Sequence, residues 1–503
     1  MKNYINKNAE WLKNVDFGDI DGLYDPNINK YFIDIEYKNA IWNSSKYFII
    51  GRKGTGKSAL YNWIYRNSIE EGKIVSNKSF SDFPFEKLLQ LSDDSFSKPN
   101  QYQSIWRHII LTELAHMICM DQENYPDDDY NELNAVIHYI YGTDIVDLYK
   151  NTTRKLVKTG GNIGFNGFVS GNAEQSKELE LYDGFNNITR INERLWMVIS
   201  NYLKRHQTKP YIIQFDQLDD NYTQFVDNEN YLQCIISLFK VVYKIDQTFR
   251  SDDIPVKIVL YLRSDIFNSL NRYDPESSRW DQNVLRLNWA IINANDWYDC
   301  NLLKLINARI NSSISEISSQ SAFHTIFNKH KIDLKFNGKP QDIFRYIIHR
   351  SFQRPRDIIQ FCIKIQDECK STNSLNYRTI HNAEKEYSLR LLSEIENEIA
   401  PIIKDTESLY EMLRLFGQKV YTVNKFREIY KNYASKFPEI DAEKMLRILY
   451  DFGIISNVSL VDGKIREQFS IVRNDRSVFN RDLNIITHSG FYCGLHTSKF
   501  LIK

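Results

Sequence analysis

The sequence predicts an α/β fold built on a parallel sheet, and three observations lead to this class. A glycine-rich loop at residues 51–58 lies between a short apolar run and a segment whose apolar side chains recur at helical spacing. Two further apolar runs, at residues 211–215 and 256–262, have the length of buried strands, and a charged residue follows each. Strand, loop and helix come in this order around the glycine-rich loop, and a long, mostly helical stretch follows.

The glycine-rich loop matches the phosphate-binding pattern of Gly, four residues, Gly, Lys, and Ser or Thr. Its glycines let backbone N–H groups approach phosphate oxygens, and the following helix points its positive end at the same oxygens. Lys57 is expected to neutralise the β- and γ-phosphates, and Ser58 to bind a bridging Mg²⁺ ion. The alternative is an ordinary glycine turn. The predicted nucleotide-binding residues of this segment are Gly51, Arg52, Lys53, Gly54, Thr55, Gly56, Lys57, Ser58 and Ala59.

A second half of the site is predicted where the run at residues 211–215 ends in Asp216. A carboxylate at the end of a buried strand can hold Mg²⁺ directly or through water, so Asp216 joins Ser58 as a predicted metal ligand. Asp219 and Asp220 follow, and either one is a candidate for positioning the attacking water. The alternative is that they begin a helix, where Asp is favoured.

The run at residues 256–262 ends in Arg263. Ligands of open α/β sheets bind at the carboxyl ends of the strands, so Arg263 is predicted to sense the γ-phosphate. The alternative, which is compatible with the first, is a turn that caps the next helix through Ser264 or Asp265. Arg272 and Arg279 lie downstream, and in a ring-forming ATPase such arginines reach a neighbouring subunit's nucleotide.

The sequence after residue 294 turns helical and contains a local conflict at Arg354 and Arg356. Pro355 is tolerated in a first helical turn, so both arginines are expected near a helix start, where the helix dipole disfavours cations. This placement indicates either an anionic partner such as phosphate or salt bridges. The last hundred residues predict two helices, a strand at residues 453–458, an Asp-Gly turn and a strand at residues 467–472, the order of a winged helix.

Composition limits the partners and the compartment. Lys+Arg and Asp+Glu number 64 each, so no net positive field draws the whole chain to nucleic acid. Six widely spaced cysteines without metal-type pairs indicate reduced thiols, and no apolar run reaches the length of a membrane span. We therefore expect a cytoplasmic protein without a membrane partner. The 503 residues predict an N-terminal segment packed on the core (1–45), a nucleotide domain with a helical insertion (46–293), a helical lid (294–400) and a winged-helix domain (401–503).

The chain resembles bacterial P-loop ATPases of the origin-recognition-like AAA+ group, which are close to the STAND group. The resemblance runs from about Asp16 to His496 and rests on these segments in order: GRKGTGKSAL, IIQFDQLDD, IVLYLRSDIF, LRLNWAIINANDW, FQRPRDIIQFC, and a tail of LYDFGIIS, FSIV and IITHSGF. It implies an AAA+ core with a helical lid and a winged helix, which uses ATP or GTP with Mg²⁺. By the same resemblance Lys57 and Ser58 contact phosphate and magnesium, Asp216 binds magnesium, Arg263 is a sensor and Arg356 a second sensor.

The resemblance also implies a role, since members of this group often occur in anti-phage defence modules. We expect an Mg-dependent ATPase that forms a homo-oligomer and switches an effector protein encoded alongside it. Many AAA+ enzymes have Glu where this chain has Gln217, which puts fast turnover in doubt. Two alternatives remain open: an origin-recognition-type initiator or loader that binds DNA through the winged helix, and a nucleotide-binding scaffold that does not hydrolyse.

Overall fold

The computed structural model describes residues 2–42, 44–80, 100–121, 127–142, 184–206, 209–219, 228–270, 273–291, 298–317, 321–336, 339–400, 402–461, 464–469 and 478–497. They form two compact units. The first unit lies within residues 1–35, 54–56 and 288–503, and the second within residues 36–53 and 57–287. Each unit has its own hydrophobic core.

The secondary structure of the described residues alternates strands and helices up to residue 286 and is mainly helical afterwards. The helices are α1 (Lys2–Asn14), α2 (Ile28–Tyr31), α3 (Tyr37–Trp42), α4 (Lys57–Glu70), α5 (Gln103–Met120), α6 (Asp128–Tyr141), α7 (Gly184–Arg205), α8 (Asn228–Ser251), α9 (Ser264–Leu270), α10 (Asn301–Ser313), α11 (Ala322–Ile326), α12 (Lys329–Ile332), α13 (Ile343–Arg350), α14 (Pro355–Thr372), α15 (Tyr377–Ile399), α16 (Thr406–Arg414), α17 (Val423–Lys431) and α18 (Ala442–Asp451). The strands are β1 (Phe48–Gly51), β2 (Ile74–Ser79), β3 (Tyr211–Asp216), β4 (Val256–Arg263), β5 (Val284–Arg286), β6 (Lys335–Phe336), β7 (Lys339–Pro340), β8 (Ile455–Val461), β9 (Lys464–Gln468) and β10 (Asn484–Thr487).

The second unit is built on a five-stranded sheet in the order β2-β3-β4-β1-β5. Every pairing in it is parallel. β1 and β3 are buried along their whole length, as expected of apolar strands covered on both faces. The sheet confirms the predicted α/β class, and β3 and β4 each end within one residue of the apolar runs predicted at residues 211–215 and 256–262.

The sheet register brings the predicted site residues to one edge. β4 lies between β1 and β3, and Gly51 at the end of β1 is paired with Arg263 at the end of β4. Asp216 at the end of β3 is paired with Ser79 at the end of β2. Because all strands run in the same direction, these carboxyl ends meet at the edge where open α/β sheets bind ligands.

The first unit is mostly helical and has a small antiparallel sheet near its C-terminal end. Helices α14 and α15 pack along each other, and the rings of Phe361 and Tyr387 stack between them with centroids 4.6 Å apart. Asp342 and Asn376 accept backbone N–H groups at the starts of α13 and α15, which satisfies donors that a helix start leaves open.

The C-terminal part of the first unit contains α17 and α18 followed by a three-stranded antiparallel sheet in the order β10-β8-β9. Thr422 and Asp441 cap the two helices through their side-chain oxygens. The second strand of the hairpin begins at Lys464, three residues before its predicted start, because Val461 pairs directly with Lys464. The predicted Asp-Gly turn, residues 462–463, lies outside the described residues. In the part of the chain that the structure covers, no helix is long and apolar enough to cross a membrane.

Candidate nucleotide-binding site

The glycine-rich loop begins where β1 ends at Gly51 and finishes where α4 begins at Lys57. Gly54 and Gly56 have φ angles of +80° and +93°, in the left-handed region that residues with a Cβ rarely adopt. A Cβ at Gly56 would meet no heavy atom of the described residues within 4 Å, and the backbone conformation explains glycine there. The sequence pattern therefore corresponds to a backbone geometry that requires glycine.

The side chain of Lys57 folds back over the loop. Its Nζ donates to the carbonyl oxygens of Gly51 at 3.0 Å and Arg52 at 3.4 Å. Burial lowers the pKa of Lys57, and the nearby carboxylates of Asp219 and Asp216 oppose that shift. The ammonium group is thus held beside two acids at the start of α4.

Asp216 is the buried acid at the end of β3, with 3% of its surface exposed. Burial raises its pKa to about 6, although the Gln217 backbone N–H, the Lys57 ammonium and the Ser58 hydroxyl all favour the ionised form. Its Oδ2 atom is buried and has no hydrogen-bond partner among the described residues. A carboxylate in this condition lacks part of the compensation that a buried charge needs.

Ser58 and Asp216 together offer the oxygen ligands that Mg²⁺ prefers. The Ser58 hydroxyl forms a hydrogen bond with the Asp216 carboxylate, which brings the two predicted metal ligands into contact. Mg²⁺ in nucleotide sites is commonly held by one or two protein oxygens together with phosphate oxygens. The uncompensated Oδ2 atom and the adjacent hydroxyl therefore fit a divalent cation.

Arg263 ends β4 at the carboxyl edge of the sheet and directly precedes α9. Its guanidinium donates to Asp265 at 3.1 and 2.7 Å, and Asp219 lies 3.8 Å away. Asp265 is in the first turn of α9, which begins at Ser264. Arg263 is thus at the predicted sheet edge and also joins a turn into a helix. Among the other candidates, Arg279 is exposed, and Asp220 and Arg272 lie outside the described residues.

Gln217 is the first residue after β3, and nothing in the local sequence pattern indicates its conformation. Its φ is +61°, and the Ser79 hydroxyl at the end of β2 donates to its Oε1 atom. A positive φ is uncommon for a residue with a Cβ and marks a position that its surroundings hold in place. The side chain that follows Asp216 is therefore fixed by a neighbouring strand.

A polar network lies one layer below Asp216 on the sheet. Gln214 is fully buried, and its amide nitrogen donates to the Tyr61 carbonyl at 3.1 Å and to Asn77 at 2.8 Å. The Tyr261 hydroxyl donates to the Gln214 carbonyl oxygen at 2.6 Å. The network joins β2, β3, β4 and α4, so it fixes the strand ends on which the site residues lie.

The tip of the loop, Gly54–Gly56, belongs to the first unit, where its carbonyl groups have partners. The Arg356 backbone N–H donates to the Gly54 carbonyl at 3.3 Å, and the Trp289 indole N–H donates to the Thr55 carbonyl at 2.9 Å. A Cβ on Gly54 would lie 3.1 Å from the Arg356 Cβ. The loop tip thus directs carbonyl groups to these residues, and position 54 favours glycine through its φ and through its close approach to Arg356.

The two arginines at the start of α14 differ in their surroundings. Arg354 is the N-cap residue and forms two 2.9 Å hydrogen bonds to Asp357, with Glu394 3.6 Å away. Arg356 lies 3.4 Å from Glu394, and its Nε atom is buried without a hydrogen-bond partner among the described residues. Salt bridges therefore account for Arg354, whereas Arg356 retains an unsatisfied donor.

A separate acidic cluster, Asp127, Asp129 and His206, has ligand atoms within 4.8 Å of one another. His206 lies 2.7 Å from Asp127, and Arg205 lies 2.8 Å from Asp129. Both acids already have ionic partners, so these contacts explain the cluster without a metal ion. The remaining predicted loop residues, Arg52, Lys53 and Ala59, are half-buried.

Two comparisons with known proteins found similarity, one to a helical segment of the chain and one along most of its length. A family model described as the FunZ-associated C-terminal helical domain matches residues 300–396, which contain α10 to α14 and most of α15. An Escherichia coli (strain K12) protein named "Putative transposon gamma-delta 80.3 kDa protein" is 21% identical over 512 residues, with 96% of this chain and 67% of that protein covered. The matched helical segment includes Arg354, Arg356 and Glu394, and neither name states an activity.

Proposed function

We propose that this chain is a Mg²⁺-dependent nucleoside triphosphatase of the AAA+ type, with ATP or GTP as substrate. The observation that carries this proposal is the cluster at the sheet edge. Lys57 lies beside Asp216 there, and Asp216 has a buried oxygen without a hydrogen-bond partner among the described residues. A triphosphate would accept from Lys57 and the loop N–H groups. Ser58 and Asp216 would hold the metal ion, which supplies charge neutralisation and orientation of the phosphates.

Two features of the architecture support the AAA+ assignment. β4 separates the strand before the loop from the strand that bears Asp216, and it carries Arg263 to the same edge. The order of α17, α18 and the β8-β9 hairpin is the order of a winged helix. Arg356, with its unsatisfied Nε atom, is the proposed second sensor.

Hydrolysis is proposed to be slow because no Glu follows Asp216. Gln217 occupies that position and accepts from the Ser79 hydroxyl, while Asp219 is near Arg263 and Lys57. A Gln can orient an attacking water but cannot take its proton. Asp219 is the described carboxylate that we propose as the base, since it lies close enough to influence Lys57, as Asp216 does.

The proposed biological role is a nucleotide-driven switch. Its nucleotide state controls assembly of copies of the chain and thereby a partner effector, in defence against phage or mobile DNA. The support is the likeness of the motifs to ATPases found in defence modules. The family model that matches residues 300–396 and the 21% identical relative are compatible with this role, but neither specifies it.

The test combines mass photometry with phosphate release, with and without ATP and Mg²⁺. Lys57→Ala and Asp216→Ala are the test variants, and Lys444→Ala on the exposed face of α18 is the matched control. Assembly and phosphate release that disappear in both test variants, but persist in the control, would support the switch ATPase. Unchanged mass without phosphate release would overturn it and favour a scaffold that does not hydrolyse.

A second candidate function is a DNA-binding initiator or loader. The observation in its favour is that the name of the Escherichia coli relative refers to a transposon. Opposing it, Arg427 and Arg481 near α18 both pair with Glu443. Binding to duplex DNA at two or more salt concentrations separates the candidates, because phosphate contacts give a steep decrease of affinity with salt.

A further inference from the structure

The segment that begins at the last residue of β10 reads Thr-His-Ser-Gly-Phe-Tyr-Cys-Gly, and we call these residues, 487–494, the clasp segment. Its His488 is buried, and burial together with nearby His349 lowers the pKa of His488 to about 3. The neutral ring accepts the Gly490 backbone N–H at Nδ1, 3.1 Å away, so its other nitrogen carries the hydrogen. That ring also bonds to the backbone of Ser351, just after α13.

Aromatic packing joins the clasp segment to the turn before α14. The ring of Phe352 meets the His488 ring edge to face at 5.0 Å and the Phe491 ring at 5.8 Å. Phe352 is 2% exposed, and Phe469 contacts the His488 ring at 4.6 Å. Such close, buried ring pairs leave Phe352 little freedom to move unless the clasp segment also moves.

Hydrogen bonds hold the clasp segment on α13 and α15. The Ser388 hydroxyl of α15 donates to the Gly490 carbonyl at 2.6 Å and accepts the Gly494 backbone N–H at 2.8 Å. The Ser489 hydroxyl donates to the His349 carbonyl at 2.6 Å. A Cβ on Gly490 would lie 2.4 Å from the Arg350 carbonyl oxygen, so the backbone approaches α13 too closely for any side chain.

The turn before α14 continues these contacts to the glycine loop. The Phe352 backbone N–H donates to Asp357 Oδ2 at 3.0 Å, and the same carboxylate binds Arg354. Arg356 lies two residues after Arg354, and its backbone N–H donates to the Gly54 carbonyl oxygen. All of these residues belong to the first unit, and their contacts form one continuous path from His488 to the loop tip.

We propose that the clasp segment is a positioning element: it fixes residues 351–356 so that the start of α14 can hold the Gly54–Gly56 loop in its nucleotide-binding form. This inference rests on the proposed nucleotide binding by residues 51–58. Movement of the β8-β9-β10 region would then change nucleotide affinity through Phe352 and Asp357. The competing view is that the clasp segment only adds packing energy.

The first measurement is hydrogen exchange of the nucleotide-free full chain. Ser388→Ala removes both hydrogen bonds between Ser388 and the clasp segment with a small change in volume, and Ser371→Ala at an exposed position of α14 is the matched control. Ser388→Ala is expected to speed exchange of peptides at residues 349–358 at least about fivefold, with little change in peptides of β1 and β3. Unchanged exchange at residues 349–358 would overturn the proposal, whether or not nucleotide binds.

The second measurement is affinity for a fluorescent, non-hydrolysable ATP analogue in a double-mutant cycle. Ser388→Ala is expected to weaken binding about fivefold to tenfold, and this effect should fall below about twofold in an Asp357→Asn background, because Asp357 joins Phe352 to Arg354 and an amide weakens both contacts. The thermal destabilisation by Ser388→Ala should be the same in both backgrounds. If Ser388→Ala speeds hydrogen exchange at residues 349–358 but leaves nucleotide affinity unchanged, the clasp segment only adds packing energy and the proposal is overturned. Absence of binding by the wild-type chain would overturn the proposed function, while the exchange measurement still tests the positioning role.

Discussion

The carboxyl edge of the parallel sheet and the exposed face of α18 both carry charged side chains, but their charges are compensated to different extents. At the sheet edge, Asp216 is buried, has a pKa raised to about 6 and retains an oxygen without a hydrogen-bond partner among the described residues. On α18, Glu443 lies 2.6 Å from Arg427 and 3.0 Å from Arg481. Arg447 pairs with Asp451 at 3.8 Å on the same helix.

At the sheet edge a bound ligand could supply the missing compensation of a buried charge, whereas the charges on α18 already have partners. A buried charge with incomplete compensation costs folding free energy and is typical of functional sites. Exposed ion pairs contribute at most about 1 kcal/mol and can form anywhere on a surface. The comparison therefore supports the proposal that an anion and a metal ion bind at the sheet edge, and the paired charges on α18 give no comparable support for phosphate binding there.

The largest expected effect is the loss of nucleotide affinity when Lys57 at the sheet edge is replaced, compared with replacement of Lys444 on α18. Lys57→Ala should weaken binding of a non-hydrolysable ATP analogue by about 100-fold or more, because the proposed function gives the Lys57 ammonium group the role of binding phosphate. Lys444→Ala should leave affinity unchanged, since Lys444 is exposed on α18 and donates to the Glu439 carbonyl. Isothermal titration calorimetry measures both, and equal losses in the two variants would remove the distinction between the regions.

The next effect concerns stability and its pH dependence at Asp216. Its folded pKa of about 6 lies above the ordinary value of 3.8, so the folded state binds more protons between these values. The stabilising contribution is thus complete below about pH 4 and is lost as the pH rises through about 6. Asp216→Asn cannot ionise and should raise the melting temperature of the nucleotide-free protein at pH 7.5 by about 2–6 °C.

The same substitution should have the opposite effect when nucleotide is present. Asp216→Asn should abolish the extra thermal stabilisation that Mg²⁺ adds to ATP, because the carboxylate that would bind the metal is gone. Asp451→Asn is the control, since Asp451 is exposed and paired on α18. Thermal unfolding at pH 5 and 7.5 checks both parts. A lower melting temperature for nucleotide-free Asp216→Asn at pH 7.5 would contradict the raised pKa.

The sequence was sufficient for those parts of the site that depend on local pattern. The glycines at 54 and 56, the strand before Asp216 and the strand before Arg263 lie where periodicity and spacing predicted them. Both arginines at the start of α14 were also placed correctly, because Pro355 marks a first helical turn. In each case the signal lies within a few residues of the feature.

The parts that sequence could not supply depend on contacts between distant residues. No strand was predicted at β2, which is an edge strand of polar composition and is only partly buried. Gln214 was expected in an apolar strand, and only the sheet register brings Tyr261 and Asn77 to its amide. Ser388 and Gly490 are 102 residues apart, so their hydrogen bond has no local signature.

A smaller effect is expected from the backbone of the loop itself. Gly54→Ala and Gly56→Ala both force a Cβ into the left-handed region, at a cost of about 1 kcal/mol each. Gly54→Ala also brings a Cβ within 3.1 Å of the Arg356 Cβ, whereas Gly56→Ala meets nothing within 4 Å. Gly54→Ala should therefore lower both the melting temperature and nucleotide affinity more than Gly56→Ala. Equal losses in the two variants would mean that backbone strain, and not the contact with α14, determines the cost of a side chain at position 54.

The smallest expected effect tests the other side of the comparison, the paired charges near α18. Glu443→Gln removes the acid that Arg427 and Arg481 share, and both cations are at least 40% exposed. If Glu443 is what prevents this face from binding nucleic acid, the variant should gain weak duplex-DNA affinity, with a slope of log affinity against log salt steeper by about 2. Glu407→Gln, in the first turn of α16, is the control for loss of one acid. A wild-type protein that already binds DNA with a steep salt slope, unaffected by Glu443→Gln, would show that phosphate contacts lie elsewhere. In that case the ion pairs of Glu443 on α18 would not be what determines nucleic-acid binding.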